Sequence, residues 1–542
     1  MTSRDCFAPL WPKYNIAIAR AVAQEWGDGA TFTTRRRRRA RQNQERRRPP
    51  ASNRCSTKSL RNVIERPLRD DAPLLDAYLS ALDEDRFDFI IPGHKRRAGL
   101  LDEGLGRVVD ADVPLYGGLD TIKQSVGTLH EAERRAAAYY DADWCRFSTG
   151  GSTHTNQALA LALGRPGDVV IVARSLHRSM LLGLVLADFR PVWLPTQLDA
   201  ESGLPVGVAT EDVATALRLN PRAAALILTE PGYLGTTSDV ATISELAHRY
   251  DVPVIVDQAW GAHFGAHPDL PRHALAYGAD ALVTSTHKLL VGYSQASVVA
   301  ARTERLNVDR LNRGFDATQT TSPAGAILAS SDAARALLET RGVELIGRVL
   351  SLVRAARERL RTEVPGLVIP DELSFPVGRF DPTRLILQLA PIGADGVVVE
   401  RHLLKQHVSL ESADRDTLLP IITVTDTDES LTALLDRLVP VLNDAVGTPR
   451  RRSTALSWLV NPVQSLSPRE AFFAPRERVD AAEAVGRVSA ELVAPYPPGV
   501  PVLAPGEVVT RELLDGLLDA ARSGVRIAYA ADPTLSTIEV VA

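Results

Sequence analysis

The stretch Ser285-Thr286-His287-Lys288, which follows the apolar run Ala281–Thr284, carries the side chains best suited to chemistry in this 542-residue chain. A lysine at the end of an apolar strand, beside hydroxyls and a histidine, can hold an aldehyde as a Schiff base next to an anionic group. Such a lysine needs a lowered pKa, which nearby cations and desolvation supply, and His287 would contribute if it were protonated. Taken alone, Lys288 could equally be an exposed loop lysine.

Asp257 is the second candidate, because it closes the strand-like run Val252–Asp257 one strand before Lys288. A carboxylate at that position has to be compensated, since an unpaired buried charge is costly. A metal ion, a capped helix or a protonated pyridine nitrogen would each compensate it.

The segment Thr149–Asn156 is the third candidate, because it leads into a helix whose free N–H groups and positive dipole end favour a phosphate. Ser152 and Thr153 could bind that phosphate or only cap the helix. The segment is not a Walker loop, because the Gly-Lys-Ser/Thr ending is absent. His177, just after the run Val169–Ala173, either covers a planar ring or simply begins a helix.

These side chains need a scaffold that brings strand ends together, and the chain alternates apolar runs with amphipathic ones. The predicted strands are Val169–Ala173, Val192–Pro195, Ala224–Thr229, Val252–Asp257, Ala281–Thr284 and Ala296–Ala301. The predicted helices include Leu74–Leu82, Thr128–Tyr140, Thr153–Leu163, Ser179–Ala187, Glu211–Leu219 and Thr242–Tyr250. This alternation predicts a mostly parallel sheet covered on both faces, with ligands at the carboxyl ends of the strands. A phosphate cradle, a buried acid and a lysine at that edge describe a pyridoxal 5′-phosphate (PLP) site.

The chain also resembles the fold-type-I, PLP-dependent ornithine/lysine/arginine decarboxylase family, from about Pro67 to the C-terminus. The matching stretches are Pro92–Lys95, Gly151–Asn156, His177–Ser179, Asp257–His263, Ser285–Leu290, Ser294–Ser297, Thr320–Pro323, Pro495–Pro501 and Pro505–Glu507. The resemblance implies an α/β, fold-type-I PLP-dependent transferase-like fold, with a mostly parallel sheet covered by helices and smaller C-terminal α/β domains.

The resemblance further implies a role for individual residues. Lys288 would form the Schiff base, Asp257 would pair with the pyridine nitrogen, and His177 would stack on the ring. The other residues implied to bind the cofactor are Gly151, Ser152, Thr153, Ala259, Ser285 and His287. No metal ion is expected.

The activity implied by the resemblance is decarboxylation of a basic L-amino acid to its amine and carbon dioxide. Arginine, lysine or ornithine would give agmatine, cadaverine or putrescine. Glu507 is the candidate for the distal cation of the substrate, with His94 and Lys95 as further substrate-binding residues. The resemblance also implies a homodimer or larger homo-oligomer with shared active sites. An aminotransferase on the same scaffold and a catalytically idle regulatory or binding protein are the alternatives.

Composition is consistent with an ordinary globular protein, at 45% hydrophobic and 24% charged residues. Neither a membrane-spanning run nor a secretory signal is evident in the sequence, so we predict a cytoplasmic protein with no membrane partner. The three cysteines are too few and too scattered for a disulfide framework or a zinc site, and Cys145 is predicted to pack as a small apolar residue.

Residues 1–66 differ from the rest, because 16 Lys and Arg oppose 5 Asp and Glu there. This net charge of +11 within a chain of net charge −4 predicts a disordered, basic extension. It is either a solvated tail or the result of a start codon assigned too far upstream. A nucleic-acid partner is not expected, because no aromatic residues interleave the arginines.

We predict four further units, an N-terminal segment (67–115), a PLP-binding large domain (116–340), a small α/β domain (341–452) and a C-terminal decarboxylase domain (453–542). The predicted elements near and beyond the sheet are a strand at Phe87–Ile91, helices in Asp332–Leu360 interrupted by Gly342, strands at Leu367–Asp371, Arg384–Leu389 and Leu419–Val424, and helices at Gly396–His407 and Ala481–Leu492.

Overall fold

A seven-stranded sheet forms the centre of the computed structural model, which describes residues 68–83, 92, 94–96, 109, 111–115, 122, 125–450, 462–496, 500–522 and 525–542. Its strands are β1 (Trp144–Ser148), β2 (Val169–Ala173), β3 (Arg190–Leu194), β4 (Leu226–Thr229), β5 (Val254–Asp257), β6 (Ala281–Ser285) and β7 (Ser297–Ala301). Six of them begin and end within two residues of the predicted runs. The sequence analysis missed β1, in which Arg146 interrupts the apolar pattern.

The strand order across the sheet is β1-β7-β6-β5-β4-β2-β3. Strand β7 is antiparallel to both its neighbours, whereas the pairs from β6 to β3 are parallel. This arrangement confirms the predicted mostly parallel α/β sheet. It also places the carboxyl ends of β2, β4, β5 and β6 at one edge, where Asp257 ends β5 and Ser285 ends β6.

Helices cover both faces of the sheet. They are α1 (Pro73–Asp83), α2 (Thr128–Tyr139), α3 (Gly151–Leu163), α4 (Arg178–Ala187), α5 (Thr210–Leu219), α6 (Val240–His248), α7 (Val308–Thr318) and α8 (Gly325–Glu363). In β5, Val254 and Val256 join the cluster that contains α1, α2, α5 and α6, whereas Ile255 joins the one that contains α3, α4 and α7. The strands are apolar throughout because each face is buried.

Helix α8 corrects one prediction, because it continues for 39 residues through Gly342 without a break. A Cβ atom at Gly342 would approach Ala266 to 3.1 Å, closer than most real side-chain contacts. Glycine at this position therefore allows the helix to pack closely on its neighbour and does not end it.

The rest of the described chain contains two longer helices, Asp428–Asp444 and Arg511–Arg522, among shorter elements. They are β8 (Leu387–Gln388), α9 (Gly396–Lys405), β9 (Ser412–Ala413), β10 (Thr417–Leu419), α10 (Asp428–Asp444), α11 (Pro468–Phe473), β11 (Arg476–Asp480), α12 (Ala481–Ala484), β12 (Ala494–Tyr496), α13 (Arg511–Arg522), β13 (Arg526–Ala528) and β14 (Thr537–Val541), with 3₁₀ turns at Leu68–Asp70, Ala274–Tyr277, Glu372–Ser374 and Ala390–Ile392. Strand β10 pairs antiparallel with β8 and β9, β11 with β14, and β12 with β13.

Several of the predicted boundaries in this part were wrong. The run Leu367–Asp371 contains no strand, β8 covers only two residues of Arg384–Leu389, and β10 ends at Leu419, where a strand was predicted to begin. The predicted helix Ala481–Leu492 ends at Ala484, because Gly486 adopts a left-handed φ of +86° that a helix cannot continue through. Cys145 is buried, as predicted.

Two predictions fall outside the described residues, the basic extension 1–66 and the strand Phe87–Ile91. Gly93 of the Pro92–Lys95 stretch also lies outside them. The division into four further units also stays a prediction. Within the described part of the chain, no helix combines the length and the hydrophobicity needed to cross a bilayer.

Candidate active site

Lys288 lies just beyond β6, with its Nζ 4.2 Å from the centre of the Trp260 ring. The pKa of Lys288 is lowered to about 8, chiefly because the side chain is buried; the positive charge of Arg384 also lowers it, while the negative charges of Asp257 and Glu411 oppose the change. A lysine with this pKa carries a substantial neutral fraction near pH 7 to 8, and the neutral amine is the nucleophilic form.

The cation that acts on Lys288 is Arg384 and not His287. The Nδ1–H of His287 donates to the carbonyl oxygen of Ala296 at 2.8 Å, and burial lowers the pKa of its ring. His287 is therefore neutral near pH 7, and the contribution that we expected from a protonated His287 is not needed to explain the lowered pKa.

We expect an amine-acylating reagent to label Lys288 of the cofactor-free protein with a rate that rises through a midpoint near pH 8. The neutral fraction falls as the pH falls through the folded pKa, so the profile reports that pKa directly. An ordinary lysine would give a midpoint near about 10.4. Mass spectrometry of the peptide that contains Lys288 measures the rate, and a midpoint above pH 10 would contradict the burial argument.

Asp257 is buried and has two hydrogen-bond donors. Its Oδ1 accepts from the backbone N–H of Ala259 at 3.1 Å, and its Oδ2 accepts from Asn156 Nδ2 at 2.7 Å. Neither donor carries a charge, and no cation in the described part of the chain forms an ion pair with Asp257. Because a buried carboxylate needs a positive partner, the structure fits a protonated ring nitrogen at this position.

His177 begins α4 as its N-cap residue, and its Nδ1 accepts from the backbone N–H of Ser179 at 3.2 Å. More than a third of its surface is accessible, yet the protein around it still desolvates the ring enough to lower its pKa. The accessible surface of His177 and the desolvation of its ring agree if the imidazole lines an open cleft. Asp257 and Lys288 both act on that pKa, in opposite directions, which places His177 beside them.

The predicted phosphate cradle is a cluster of hydroxyl groups at the start of α3. Ser152 Oγ lies 2.7 Å from Ser285 Oγ and 3.4 Å from Ser297 Oγ, and Thr155 Oγ1 lies 3.2 Å from Ser297 Oγ. Gly151 has a φ of +66° and its N–H donates to the carbonyl of Gln295. The cluster thus combines hydroxyl donors with the free N–H groups of a helix N-terminus.

The predicted cradle residues differ in accessibility. Ser152 is partly buried, Ser285 is fully buried, and Thr153 is exposed at the helix start. Ala259, the remaining predicted cofactor-binding residue, contacts the site through the hydrogen bond of its N–H to Asp257. The structure therefore brings together the predicted lysine, acid, histidine and hydroxyls.

Two side chains beside the Trp260 ring, Arg384 and Tyr233, were not among the predicted site residues. The Arg384 guanidinium lies 4.7 Å from the ring centre, and the Tyr233 ring packs edge-on at 5.3 Å. Arg384 is 1% exposed, and a Cβ atom at Gly235 would collide with its side chain. The sequence did carry one signal for Arg384. An arginine at the start of the apolar run Leu385–Leu389 has to be buried together with that run.

Glu411 is a further residue that the sequence analysis missed. The Tyr233 hydroxyl donates to Glu411 Oε1 at 3.0 Å. The Glu411 side chain is exposed and forms no ion pair with any cation that the structure describes. It carries a negative charge that acts on both Lys288 and Arg384.

Glu507, the predicted partner of the distal substrate cation, lies in the interior of the protein beside Arg174. It is completely buried, its Oε2 accepts from Arg174 Nη2 at 2.9 Å and from the N–H of Ala504 at 2.7 Å, and its Oε1 pairs with Arg174 Nη1. Arg174 follows β2 and also donates to the carbonyl of Val502. The geometry therefore argues for a structural role, in which Glu507 fixes the C-terminal segment to the sheet, and against contact with a substrate cation.

We expect Glu507→Gln to reduce the free energy of unfolding by about 3–5 kcal/mol, because it leaves Arg174 buried without a counter-charge. Urea unfolding measures this loss, with the exposed Glu512→Gln as a matched control that should change stability by under about 0.5 kcal/mol. A variant that kept full stability but lost affinity for a basic amino acid would restore the original prediction.

His94 and Lys95 stay outside the Lys288 cluster within the described part of the chain. His94 Nε2 lies 3.1 Å from Asp112 Oδ2, and His94 Nδ1 accepts from the N–H of Arg96 at 3.0 Å. Lys95 closes the turn with a hydrogen bond to the carbonyl of Pro92. Their predicted role in substrate binding stays a prediction.

Comparison with known proteins identifies the family. The family model described as "Orn/Lys/Arg decarboxylase, major domain" matches residues 72–372, and the one described as "Orn/Lys/Arg decarboxylase, C-terminal domain" matches residues 453–524. The arginine decarboxylase of Bacillus subtilis (strain 168) is 31% identical over 482 residues, which is 87% of this chain and 98% of that protein. The arginine decarboxylase of Halalkalibacterium halodurans is also 31% identical, over 87% of this chain and 98% of its own length.

Solved structures agree on the fold. The Francisella novicida lysine decarboxylase superposes with a TM-score of 0.74 at 21% identity, covering 87% of this chain and 81% of that one. The Escherichia coli constitutive lysine decarboxylase gives a TM-score of 0.71 at 22% identity, covering 87% and 82%. The sequence matches cover most of the chain, and the solved structures share its fold. This chain therefore belongs to the Orn/Lys/Arg decarboxylase family and is an amino acid decarboxylase.

Proposed function

We propose that this chain uses pyridoxal 5′-phosphate to decarboxylate a basic L-amino acid, with arginine as the preferred substrate. The observation that carries the proposal is the grouping of a lysine of lowered pKa, a buried aspartate that forms no ion pair among the described residues, and a hydroxyl cluster at a helix start. The preference for arginine rests on the names of the relatives, since those that are 31% identical are arginine decarboxylases. The E. coli constitutive lysine decarboxylase is 25% identical.

Three parts of the site fit the three functional groups of the cofactor. Ser152, Ser285 and the N-terminus of α3 would hold the phosphate, and Asp257 would hold the pyridine nitrogen. Lys288 offers a neutral amine for the aldehyde carbon. When bound, pyridoxal phosphate supplies an electron sink for the pair left behind as carbon dioxide departs.

The residues of this chain set the conditions for that chemistry. The positive charge of Arg384 favours the neutral form of Lys288, so the amine is available to bind and to be displaced. His177 accepts hydrogen bonds at Nδ1, so its neutral form carries the proton on Nε2. Trp260 and Tyr233 cover the lysine side of the cleft with aromatic surface, which excludes water.

Glu411 is our candidate for the distal cation of the substrate, in place of Glu507. The path from Lys288 runs over the Trp260 ring and the Tyr233 ring to Glu411, with a last step of 3.0 Å from the Tyr233 hydroxyl. A carboxylate that is accessible and has no cation within the described residues is free to take one from a ligand. A guanidinium would bind it through paired N–H donors, which favours arginine.

We expect Glu411→Gln to raise KM for the basic amino acid about 10- to 100-fold and to change kcat little. The variant removes a charge-assisted hydrogen bond that is made equally in the ground state and the transition state, worth about 1.5–3 kcal/mol. Steady-state kinetics measure both constants, and the exposed Glu245→Gln serves as the control. An unchanged KM would remove Glu411 from the substrate site.

The decisive test of the function is to supply the purified protein and pyridoxal phosphate with arginine, lysine and ornithine in turn. We expect release of carbon dioxide and one amine, with agmatine formed fastest. An aminotransferase on this scaffold would need a keto-acid acceptor and would release no carbon dioxide. Absence of any product and of any cofactor absorbance would support the catalytically idle alternative.

We also propose that the active protein is a homodimer or a larger homo-oligomer. Tyr293, five residues after Lys288 in the chain, is 54% exposed and presents an aromatic surface that a second subunit would cover. Sedimentation analysis of the holoenzyme tests this, and a monomer with full activity would refute it.

A further inference from the structure

A continuous chain of hydrogen bonds joins Asp257 to His177 through Asn156 and Ser179. Asn156 Nδ2 lies 2.7 Å from Asp257 Oδ2 and 2.9 Å from Ser179 Oγ. Ser179 Oγ in turn lies 2.8 Å from His177 Nδ1. Asn156 and Ser179 are both buried, so this chain runs through the protein interior beneath the cleft.

The orientation of the Asn156 amide follows from its neighbours. An ionised Asp257 carboxylate only accepts hydrogen bonds, so the NH₂ group of Asn156 has to face it. The reverse orientation would place two acceptor oxygens 2.7 Å apart, and it would leave Ser179 Oγ without its donor. The two N–H bonds of one amide nitrogen therefore serve Asp257 and Ser179 together.

The same chain determines where the protons lie further along. Because Ser179 Oγ accepts from Asn156, its own hydroxyl proton is free to donate to His177 Nδ1. The backbone N–H of Ser179 also donates to Nδ1, at 3.2 Å. His177 Nδ1 is thus an acceptor, and the neutral ring carries its proton on Nε2.

We propose that Asn156 is a positioning residue, which fixes the Asp257 carboxylate as an ionised acceptor and, through Ser179, fixes the orientation and tautomer of His177. This inference rests on the proposed function, in which Asp257 pairs with the pyridine nitrogen of the cofactor and His177 stacks on its ring. Asn156 touches neither substrate nor reacting atoms, so it acts through the residues that it holds.

Asn156→Asp gives the sharpest test, because the substituted side chain has nearly the same shape but no donor. Two carboxylates 2.7 Å apart cannot both be ionised, so one proton is shared and Asp257 loses its full charge. We expect pyridoxal phosphate to bind at least about tenfold more weakly to this variant. We also expect pyridoxal phosphate to bind Asn156→Asp more weakly than it binds Asn156→Ala, because the alanine variant loses the donor without adding an acid.

That order distinguishes positioning from packing. If Asn156 only filled space, the isosteric Asn156→Asp would bind the cofactor as the wild type does, and Asn156→Ala would be the poorer variant. Asn312→Asp is the matched control, because Asn312 Oδ1 accepts from Trp144 and Arg146 and so tolerates a carboxylate. Its cofactor affinity should equal that of the wild type.

Two measurements on the cofactor-free protein make the outcome independent of catalysis. We expect the ¹⁵N NMR signals of His177 to show a protonated Nε2 in the wild type and a changed Nδ1 signal in Asn156→Asp, where the Ser179 hydroxyl turns to the new carboxylate. The double variant Asn156→Asp/Asp257→Asn again places one amide opposite one acid at positions 156 and 257. Its Tm should therefore be several degrees higher than that of Asn156→Asp alone.

Each result decides the inference separately from the function. An unchanged Nδ1 signal, no recovery in the double variant, or equal cofactor binding by Asn156→Asp and the wild type would each overturn the inference. A wild-type protein that releases no carbon dioxide would overturn the proposed function, while the NMR and Tm results would still test the hydrogen-bond chain.

Discussion

Lys288→Ala should lower kcat by about 10³-fold or more, the scale seen when a nucleophile is removed from an active site. The lysine is the one amine beside Trp260 in the described structure, and its lowered pKa supplies the neutral form that the chemistry needs. Carbon dioxide release under saturating arginine and cofactor measures the loss. The exposed Lys405→Ala, at the end of α9, is the control and should keep the full rate.

Removing Lys288 should abolish activity without lowering the stability of the protein. A lysine whose folded pKa lies near 8 and whose unfolded pKa lies near 10.5 binds fewer protons when folded, so its burial costs stability throughout the range below pH 8. Lys288→Met removes that cost, and we expect the free energy of unfolding of the cofactor-free protein at pH 7 to rise by about 1–3 kcal/mol. Urea unfolding measures it. A stable variant with wild-type turnover would contradict the catalytic role.

The sheet and its polar strand ends could be predicted because each depends on local patterns. The apolar runs Val252–Asp257 and Ala281–Thr284 predict buried parallel strands, and the polar residue that ends or follows each run, Asp257 or Ser285, then lies at the ligand edge. Lys288 follows the second of these strands directly, and its role was predicted from that position together with Asp257 and the phosphate cradle.

Arg384 and Glu411 could not be predicted in the same way, because Arg384 lies 124 positions beyond Trp260 and Glu411 lies 178 positions beyond Tyr233, the residues that they contact. Nothing in the local pattern shows that the segment before β8 folds back onto Trp260. The pairing of Glu507 with Arg174 could not be predicted for the same reason, since the two residues are 333 positions apart and the sequence alone gives no sign of the pair.

Gly342 and Gly486 show why glycine is ambiguous in a sequence. The first lies within α8 at a close contact with Ala266, and the second ends α12 with a left-handed φ. The residue type permits both outcomes, and the neighbouring backbone decides between them.

Asp257→Asn should reduce kcat/KM by about 10²–10³-fold, the range found when a preorganised electrostatic contact to the reacting group is removed. The substitution keeps the shape of the side chain but removes the negative charge that would hold a protonated ring nitrogen. Its effect should appear in both cofactor affinity and turnover, because the uncharged amide pairs poorly with a cation in a buried site.

Asp280→Asn provides the matched comparison for that variant. Asp280 is as buried as Asp257, but it lies at the amino end of β6, where it accepts from the N–H of Val254 and contacts His248 and Arg305. We expect Asp280→Asn to lower the unfolding free energy and to leave kcat/KM of the folded holoenzyme within about threefold of wild type. Equal losses of activity in both variants would show that the charge of Asp257 matters to folding alone. A loss confined to Asp257→Asn would assign it to the chemistry at the carboxyl edge of the sheet.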